Sequence, residues 1–257
     1  MATVEHAGAN LYYRVDGRPD GPPLVLLNSL GSGTGLWDPV MPALGERYRV
    51  LRMDKRGHGQ STGTPGDYTM AMLAEDALAV MDAAGFQRAT VGGISIGGMI
   101  SMRLALQAPE RVERLVISNS SAFPGDKLRA RMAEVREKGL EAVADTVIAN
   151  WFSAETIAGG GPYIEAVRAT FVGGEAQGYA GCCAAIIGYD MRPHLGQIRQ
   201  PALVIAGLAD ASLTPEHSRE IADGLPNARL VELQARHIPF GDIPEEYARA
   251  VIDFLGD

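Results

Sequence analysis

Ala89-Thr90-Val91-Gly92-Gly93-Ile94-Ser95-Ile96-Gly97-Gly98-Met99-Ile100 is the stretch that decides the fold of this chain. An apolar β-type run enters a Gly-x-Ser-x-Gly pentad at 93–97, and a helical run, Met99–Gln107, leaves it. A strand, sharp turn and helix of this kind expose a serine hydroxyl at the tip of a strained bend. The small residues suit that bend, because its backbone angles resist a β-carbon and the helix passes close to the strand. The alternative is an ordinary glycine-rich turn with Ser95 as a helix cap.

A second glycine-containing loop, Asn28–Gly33, follows the apolar run Leu24–Leu27. It lacks a Gly-x-Gly-x-x-Gly pattern and a Lys-Ser/Thr ending, which argues against a nucleotide site. An oxyanion loop fits better, since one of its backbone N–H groups would meet the helix N-terminus after Ser95. Together these donors would stabilise an oxyanion formed beside Ser95.

The rest of the chain alternates between predicted strands and predicted helices up to about residue 119 and again from about residue 197. This alternation predicts an α/β fold with a mostly parallel sheet and helices on both faces. Helical patterns alone fill 120–196, so we expect a core of 1–119 and 197–257 with a helical lid at 120–196. Predicted strands are Leu11–Val15, Leu24–Leu27, Tyr48–Met53, the run into the pentad, Leu115–Ile117, Pro201–Ala206 and Arg229–Leu233, and predicted helices are Trp37–Arg47, Met70–Gly85, Met99–Gln107, Lys127–Lys138, Pro215–Gly224 and Ile243–Leu255.

Two charged segments have structural interpretations. The turn Asp54–Ser61 is compatible with a metal site or a catalytic histidine, but a structural turn is favoured because no second ligand cluster lies nearby. On the predicted helix Met70–Gly85, the acidic residues Glu75, Asp76 and Asp82 fall opposite the apolar face. We therefore expect all three to face solvent.

Composition excludes several classes of protein. The chain has 257 residues and a net charge of −8, which argues against nucleic-acid binding. Neither a signal peptide in the first ten residues nor an apolar stretch that would span a bilayer is visible. The only cysteines, Cys182 and Cys183, are adjacent and unsuited to a structural disulfide, so a reducing cytoplasm is expected. A metal-binding or redox pair is the alternative to two buried apolar residues.

A base and an acid for Ser95 are found by elimination. Of the five histidines, only His237 directly follows a predicted strand, and the carboxyl ends of parallel strands share the edge where Ser95 lies. Asp210 follows the strand Pro201–Ala206 within a few residues, and the order Ser, acid, His is typical of this architecture. We predict that Asp210 orients His237, which takes the proton of Ser95. The alternatives are a surface-loop histidine and an aspartate that caps a helix.

Several further motifs form a set: Leu27-Asn28-Ser29-Leu30-Gly31, Leu36-Trp37-Asp38-Pro39, Arg49-Val50-Leu51-Arg52, Arg56-Gly57-His58-Gly59, Gly97-Gly98-Met99, Trp151-Phe152 and Gly178-Tyr179 leading into Cys183. With them the chain resembles the α/β-hydrolase superfamily and, within it, the 3-oxoadipate enol-lactonases of bacterial aromatic catabolism. The resemblance implies an α/β-hydrolase fold and an oxyanion hole formed by the backbone N–H groups of Leu30 and Ile96. It also implies lactone opening without a cofactor or a metal.

Three functions remain open at this point. The first is opening of a small lactone, 3-oxoadipate enol-lactone, and the second is a broader carboxylesterase or perhydrolase with the same triad. The third is a ligand-binding receptor on a hydrolase scaffold, which an intact triad disfavours. The partner is a small molecule rather than nucleic acid or membrane, and the chain is expected to be a monomer or a small homo-oligomer.

The lid is where the substrate would be selected. Aromatic lid residues commonly contact ligands, so Trp151 and Tyr189 are predicted to line the pocket, with packing inside the lid as the alternative. A substrate carboxylate would need a cationic partner. The lid arginines that could supply it are Arg129, Arg131, Arg136, Arg168 and Arg192. The motif His237-Ile238-Pro239-Phe240 stands where the enol-lactonases usually have His-Ile-Ser-Asn, and it favours a less polar acyl group.

Overall fold

An eight-stranded sheet forms the centre of the computed structural model, which describes residues 2–256. The strands are β1 Ala2–His6, β2 Ala9–Gly17, β3 Pro23–Leu27, β4 Arg49–Met53, β5 Ala89–Ile94, β6 Val112–Ser118, β7 Ala202–Gly207 and β8 Ala228–Leu233. Their order across the sheet is β1-β2-β4-β3-β5-β6-β7-β8. The strand β2 pairs antiparallel with β1 and β4, and the remaining pairs are parallel. The predicted mostly parallel sheet is confirmed.

Helices connect the parallel strands. They are α1 Met41–Gly45, α2 Met70–Ala83, α3 Ile96–Gln107, α4 Arg129–Lys138, α5 Glu141–Trp151, α6 Ala154–Gly159, α7 Pro162–Val172, α8 Ala176–Ile187, α9 Pro215–Gly224, α10 Pro239–Asp242 and α11 Pro244–Leu255, with 3₁₀ helices at Thr34–Val40, Pro109–Arg111 and Arg192–Gln197. Strands β5 and β7 are buried along their whole length, as expected of parallel strands covered on both faces.

Two elements differ from the sequence-based predictions. The predicted helix Trp37–Arg47 is instead a 3₁₀ helix, Thr34–Val40, followed by the short helix α1. Pro39 lies inside the 3₁₀ helix and has no backbone N–H to donate to the hydrogen bonds of a longer helix. Gly45 ends α1. The strand β1 was not predicted, because its side chains are mostly exposed at the edge of the sheet and provide little apolar alternation.

The prediction that Asp76 faces solvent is wrong. Its side chain is 1% exposed, and its carboxylate accepts hydrogen bonds from Arg56 at 2.6 and 2.5 Å and pairs with His6 at 2.9 Å. A buried carboxylate needs such partners. The charge is satisfied by residues far away in sequence, so the helical pattern of α2 could not reveal it.

Five helices, α4 to α8, lie between β6 and β7. Helix α4 is rich in charge, and Val135 is its only fully buried residue. Helix α8 is buried along most of its length, including Cys182 and Cys183, which are both free thiols. Among residues 2–256, no helix has the length and apolar character that crossing a bilayer would require.

Candidate active site

Ser95 occupies the sharp bend between β5 and α3. Its backbone angles, φ 58° and ψ −121°, lie in a region that a side chain rarely adopts, so the bend is strained. A β-carbon on Gly93 would collide with the backbone of Gly97, and one on Gly97 would collide with the carbonyl of Leu27. The bend is anchored from the next strand, because Ser95 N donates to the carbonyl of Ser118 at 3.0 Å.

His237 and Asp210 form a buried pair at the same edge of the sheet. Nδ1 of His237 donates to Oδ2 of Asp210 at 2.7 Å, and both residues are 3% exposed. The other carboxylate oxygen of Asp210 accepts from the backbone N–H groups of Ser212 at 2.8 Å and Leu213 at 3.1 Å. With Nδ1 donating to a carboxylate, the other ring nitrogen, Nε2, is the one left to accept a proton.

Asn119, which sequence analysis did not single out, holds this edge together. It follows β6 in a left-handed backbone conformation with φ 38°. Its amide nitrogen donates to the carbonyls of Arg236 at 2.9 Å and His237 at 3.0 Å, and its amide oxygen accepts from the N–H of Gly207 at 2.6 Å. The side chain therefore ties the ends of β6 and β7 to the histidine loop. The sequence signal that could have identified Asn119 is its position directly after a strand, in the run 118–121.

Ser95 and His237 open into one cavity of about 100 Å³. The lining is Ser29, Leu30, Ser95, Met99, Pro124, Gly125, Lys127, Leu128, Arg131, Val147, Trp151, Tyr179, Ile186, Ser212, Leu213 and His237. Within the described chain, residues 2–256, Ser95 Oγ forms no hydrogen bond to His237. Such bonds are often long without substrate and shorten in the reacting complex.

The two predicted oxyanion donors are unpaired. Leu30 lines the cavity in the loop after β3, and Ile96 is the first residue of α3, directly after Ser95. Over residues 2–256, the backbone N–H groups of Leu30 and Ile96 have no hydrogen-bond acceptor. The first N–H groups of a helix lack partners inside the helix, which leaves them for a ligand.

The two aromatic residues predicted to bind substrate lie in different places. Trp151 lines the cavity, and its carbonyl accepts from the N–H of Ile238 at 2.9 Å, next to His237. The structure does not bring Tyr189 to this cavity, and its hydroxyl instead donates to the carbonyl of Met99 at 3.3 Å. Burial raises the pKa of Tyr189 far above its usual value. Tyr189 is thus buried against α3 and does not reach the cavity that contains Ser95.

This difference predicts opposite effects of matched substitutions. Trp151→Leu should change KM or substrate preference severalfold, whereas Tyr189→Leu should leave KM unchanged and destabilise the fold by about 2–4 kcal/mol, a typical cost of truncating a large buried side chain. Steady-state kinetics and thermal melts on both variants test this. A Tyr189→Leu protein with altered KM and unchanged Tm would reverse the assignment.

Among the five candidate arginines, Arg131 is the one that lines the cavity. The other four are on the surface, in ion pairs with nearby acids: Arg129 with Asp126, Arg136 with Asp67, Arg168 with Glu141 and Asp145, and Arg192 with Asp190. Arg131 is half-buried, and its charge opposes the rise in the pKa of Tyr179 that burial causes. In the part of the chain from 2 to 256, no acidic side chain pairs with Arg131.

Potential metal ligands are dispersed in the part of the chain that the structure describes. Over positions 2–256, no three His, Cys, Asp or Glu side chains come together in a way that would hold a metal ion. In the turn 54–61, His58 is fully buried, and burial together with the charge of Lys55 lowers its pKa to about 3. Burial raises the pKa of both cysteine thiols to about 12, which keeps them neutral.

The chain is similar to known hydrolases in sequence and in fold. Residues 22–154 match the alpha/beta hydrolase fold family. The chain is 34% identical to 3-oxoadipate enol-lactonase 2 of Acinetobacter baylyi, over 94% of this chain and 91% of that protein. The chain belongs to the alpha/beta hydrolase fold family and is an enzyme of the hydrolase class.

Two solved structures are similar over the whole fold. A hydrolase from Pseudomonas aeruginosa PA01 has a TM-score of 0.95 and 39% identity, covering 100% of this chain and 98% of that one. The enol-lactonase from Burkholderia xenovorans LB400 has a TM-score of 0.95 and 37% identity, covering 99% of this chain and 100% of that one. The predicted fold, and the resemblance to enol-lactonases, are thereby confirmed.

Proposed function

We propose that this protein is a serine hydrolase that opens a small lactone through an acyl-enzyme on Ser95, with His237 as base and Asp210 as its orienting acid. The observation that carries the proposal is the buried 2.7 Å pair of Asp210 and His237, which shares a cavity with a serine in a strained backbone conformation. The similarity to proteins named enol-lactonase supports a lactone as substrate.

The reaction follows from the arrangement of these groups. Oγ of Ser95 attacks the lactone carbonyl while Nε2 of His237 takes its proton, and the carbonyl oxygen becomes an oxyanion held by the N–H groups of Leu30 and Ile96. The ring C–O bond then breaks, and the leaving oxygen receives the proton from His237. Water, deprotonated by His237, hydrolyses the acyl-enzyme and frees Ser95. Neither a cofactor nor a metal takes part in this scheme.

The proposed substrate is an enol-lactone that carries a carboxylate, 3-oxoadipate enol-lactone. An enolate is a good leaving group, so selectivity must come from binding rather than from additional acid catalysis. Arg131 and the exposed Lys127 bring positive charge to a cavity whose lining, within residues 2–256, includes no acidic side chain. A guanidinium without an acidic partner suits a substrate carboxylate.

Substitution of Arg131 tests this choice of substrate. For Arg131→Met we expect kcat/KM for 3-oxoadipate enol-lactone to fall about 10- to 100-fold, because hydrogen bonds to charged groups contribute about 1.5–3 kcal/mol. For a neutral aryl acetate the change should stay below about threefold. Steady-state assays of both substrates measure the ratio.

Arg129→Met is the matched control, since Arg129 is on the same helix but exposed and paired with Asp126. It should behave as the unsubstituted protein with both substrates. An equal loss for neutral and carboxylated substrates in Arg131→Met would remove Arg131 from carboxylate recognition.

A broader esterase is the second candidate, and the apolar lining favours it. Met99, Val147, Ile186 and Leu213 would accommodate a neutral acyl group. If neutral lactones or short aryl esters exceed the enol-lactone in kcat/KM by more than about tenfold, roughly 1.4 kcal/mol in transition-state binding, the esterase proposal replaces the lactonase.

We also propose a lid, a cellular location and an oligomeric state for this enzyme. Helices α4 to α8 would form a lid over the cavity, within the span 120–196, because α4 and α5 both contribute residues to the lining. Two free, buried thiols agree with a cytoplasmic location. We further propose that the enzyme acts on a small molecule as a monomer or a small homo-oligomer.

A further inference from the structure

A buried lysine lies behind the loop that carries the proposed oxyanion donor. Lys55, in the turn after β4, is 2% exposed, and its Nζ donates to the carbonyls of Ser29 at 2.8 Å and Asn28 at 3.2 Å. Within residues 2–256, no carboxylate forms an ion pair with Nζ of Lys55. Its ammonium charge is therefore directed at two peptide carbonyls of one loop.

The identity of these peptides matters. The carbonyl of Ser29 and the N–H of Leu30 belong to the same peptide unit, so a cation on that oxygen draws electron density away from the N–H. Hydrogen bonds in series strengthen one another in this way, and those to charged groups are the stronger ones. Ser32 adds two neutral donors to the same carbonyl, Oγ at 2.8 Å and N at 3.3 Å.

The remainder of the loop is held by separate contacts. The side chain of Asn28 donates to the carbonyl of Met53 at 2.7 Å and accepts from Nε1 of Trp37 at 2.8 Å. These bonds fix the side chain of Asn28 independently of the lysine. Lys55 acts at the backbone of the same loop, where it places a charge next to the donor peptide.

We propose that Lys55 is a positioning residue for catalysis, which orders and polarises the Ser29–Leu30 peptide so that the N–H of Leu30 binds the oxyanion formed at Ser95. The inference rests on the proposed function, because it needs an oxyanion at Ser95. It assigns to the charged turn 54–61 a role in the reaction that motif analysis had treated as structural.

The charge of Lys55 can be removed by pH as well as by mutation. Burial lowers the pKa of Lys55 to about 8, so the ammonium is present below that pH and is lost as pH rises through it. The neighbouring thiol of Cys182 on α8 stays neutral because its pKa is about 12, and His58 stays neutral because its pKa is about 3. Arg56 and Asp76 form a buried ion pair, and burial raises the pKa of Asp54.

The test uses diethyl p-nitrophenyl phosphate, which reacts with a catalytic serine without any knowledge of the natural substrate. Ser95 Oγ would form a bond to phosphorus as p-nitrophenolate leaves, the serine proton passing to His237, while the phosphoryl oxygen occupies the oxyanion hole. We expect the rate constant for this step to be about tenfold lower in Lys55→Met, less than the 10²–10³ cost of losing a direct oxyanion donor. Above pH 8 the rate should fall in the unsubstituted protein but not in Lys55→Met.

Controls separate this role from a structural one. Lys138→Met removes an exposed lysine and should react like the unsubstituted protein. Ser32→Ala removes a neutral donor from the same carbonyl and should slow the reaction by less than about threefold, because a neutral bond polarises less than a charged one. Tm should stay within a few degrees in Lys55→Met, because Met fills the same space without a buried charge.

Each outcome has one meaning. Failure of the unsubstituted protein to react at Ser95 would overturn the proposed function, whereas reaction at equal rates in Lys55→Met would overturn only the role of Lys55. A slower Lys55→Met that keeps the alkaline fall also contradicts polarisation by the lysine. If Lys55→Met does not fold, the pH dependence of the unsubstituted protein decides. A reaction rate that stays level from pH 7 to about 9.5, well past the shifted pKa of Lys55, would also contradict polarisation by the lysine.

Discussion

Ser95→Ala should lower kcat by about 10⁴- to 10⁶-fold while the protein folds normally, because loss of one member of a catalytic triad removes covalent catalysis altogether. The hydroxyl of Ser95 makes no hydrogen bond within residues 2–256 that the fold would miss. The strained backbone at φ 58° accepts alanine as readily as serine, since both carry a β-carbon. Ester hydrolysis at saturating substrate and a thermal melt measure the two quantities.

Ser101→Ala is the matched control for this substitution. Ser101 is a buried serine of the same helix, α3, and its hydroxyl donates to the carbonyl of Gly97 within the helix. Its loss should leave kcat nearly unchanged. A Ser95→Ala protein that retains more than about one hundredth of the activity would show that another group is the nucleophile.

His237→Ala should be nearly as inactive as Ser95→Ala, with a fall in kcat of about 10⁴-fold or more. The double substitution should lose little beyond either single one, because base and nucleophile act as a unit. Steady-state kinetics of the three variants provide the comparison.

His217→Ala controls for the loss of an imidazole. His217 lies on α9, where its ring contacts Thr214, and it is absent from the lining of the cavity. This variant should keep its activity. If the losses in His237→Ala and Ser95→Ala multiplied in the double variant, the two residues would be acting independently, against the proposed mechanism.

The parts of the site that follow from strand order were predictable from sequence. Ser95, Asp210 and His237 each come just after an apolar run, and parallel strands bring such positions to one edge of the sheet. The structure brings Asp210 and His237 together in a buried pair at that edge.

What depended on long-range packing was not predictable. Tyr189 lies under α3 because of how the segment after α8 folds back, and Asp76 is buried because Arg56 reaches it from another loop. Lys55 lies in a glycine-containing turn that the sequence indicated to be structural, and only the tertiary structure shows its ammonium against the loop after β3. Such pairings join residues that no local pattern connects.

The choice of arginine shows the same limit. The five candidate arginines were equivalent in sequence, and neighbouring acids distinguish them in the structure. Arg131 differs by its place on the inner side of α4, next to Tyr179. The sequence indicated that arginines were available in this segment, but not which one faced the cavity.

The most direct test of the central claim is to find the residue that becomes covalently modified. The protein is incubated with diethyl p-nitrophenyl phosphate, digested, and its peptides are mapped by mass spectrometry. We expect one diethylphosphoryl group per chain, on Ser95, and none in Ser95→Ala or in a sample inactivated by prior denaturation. Modification of a different residue, or an active protein that carries no adduct, would contradict it.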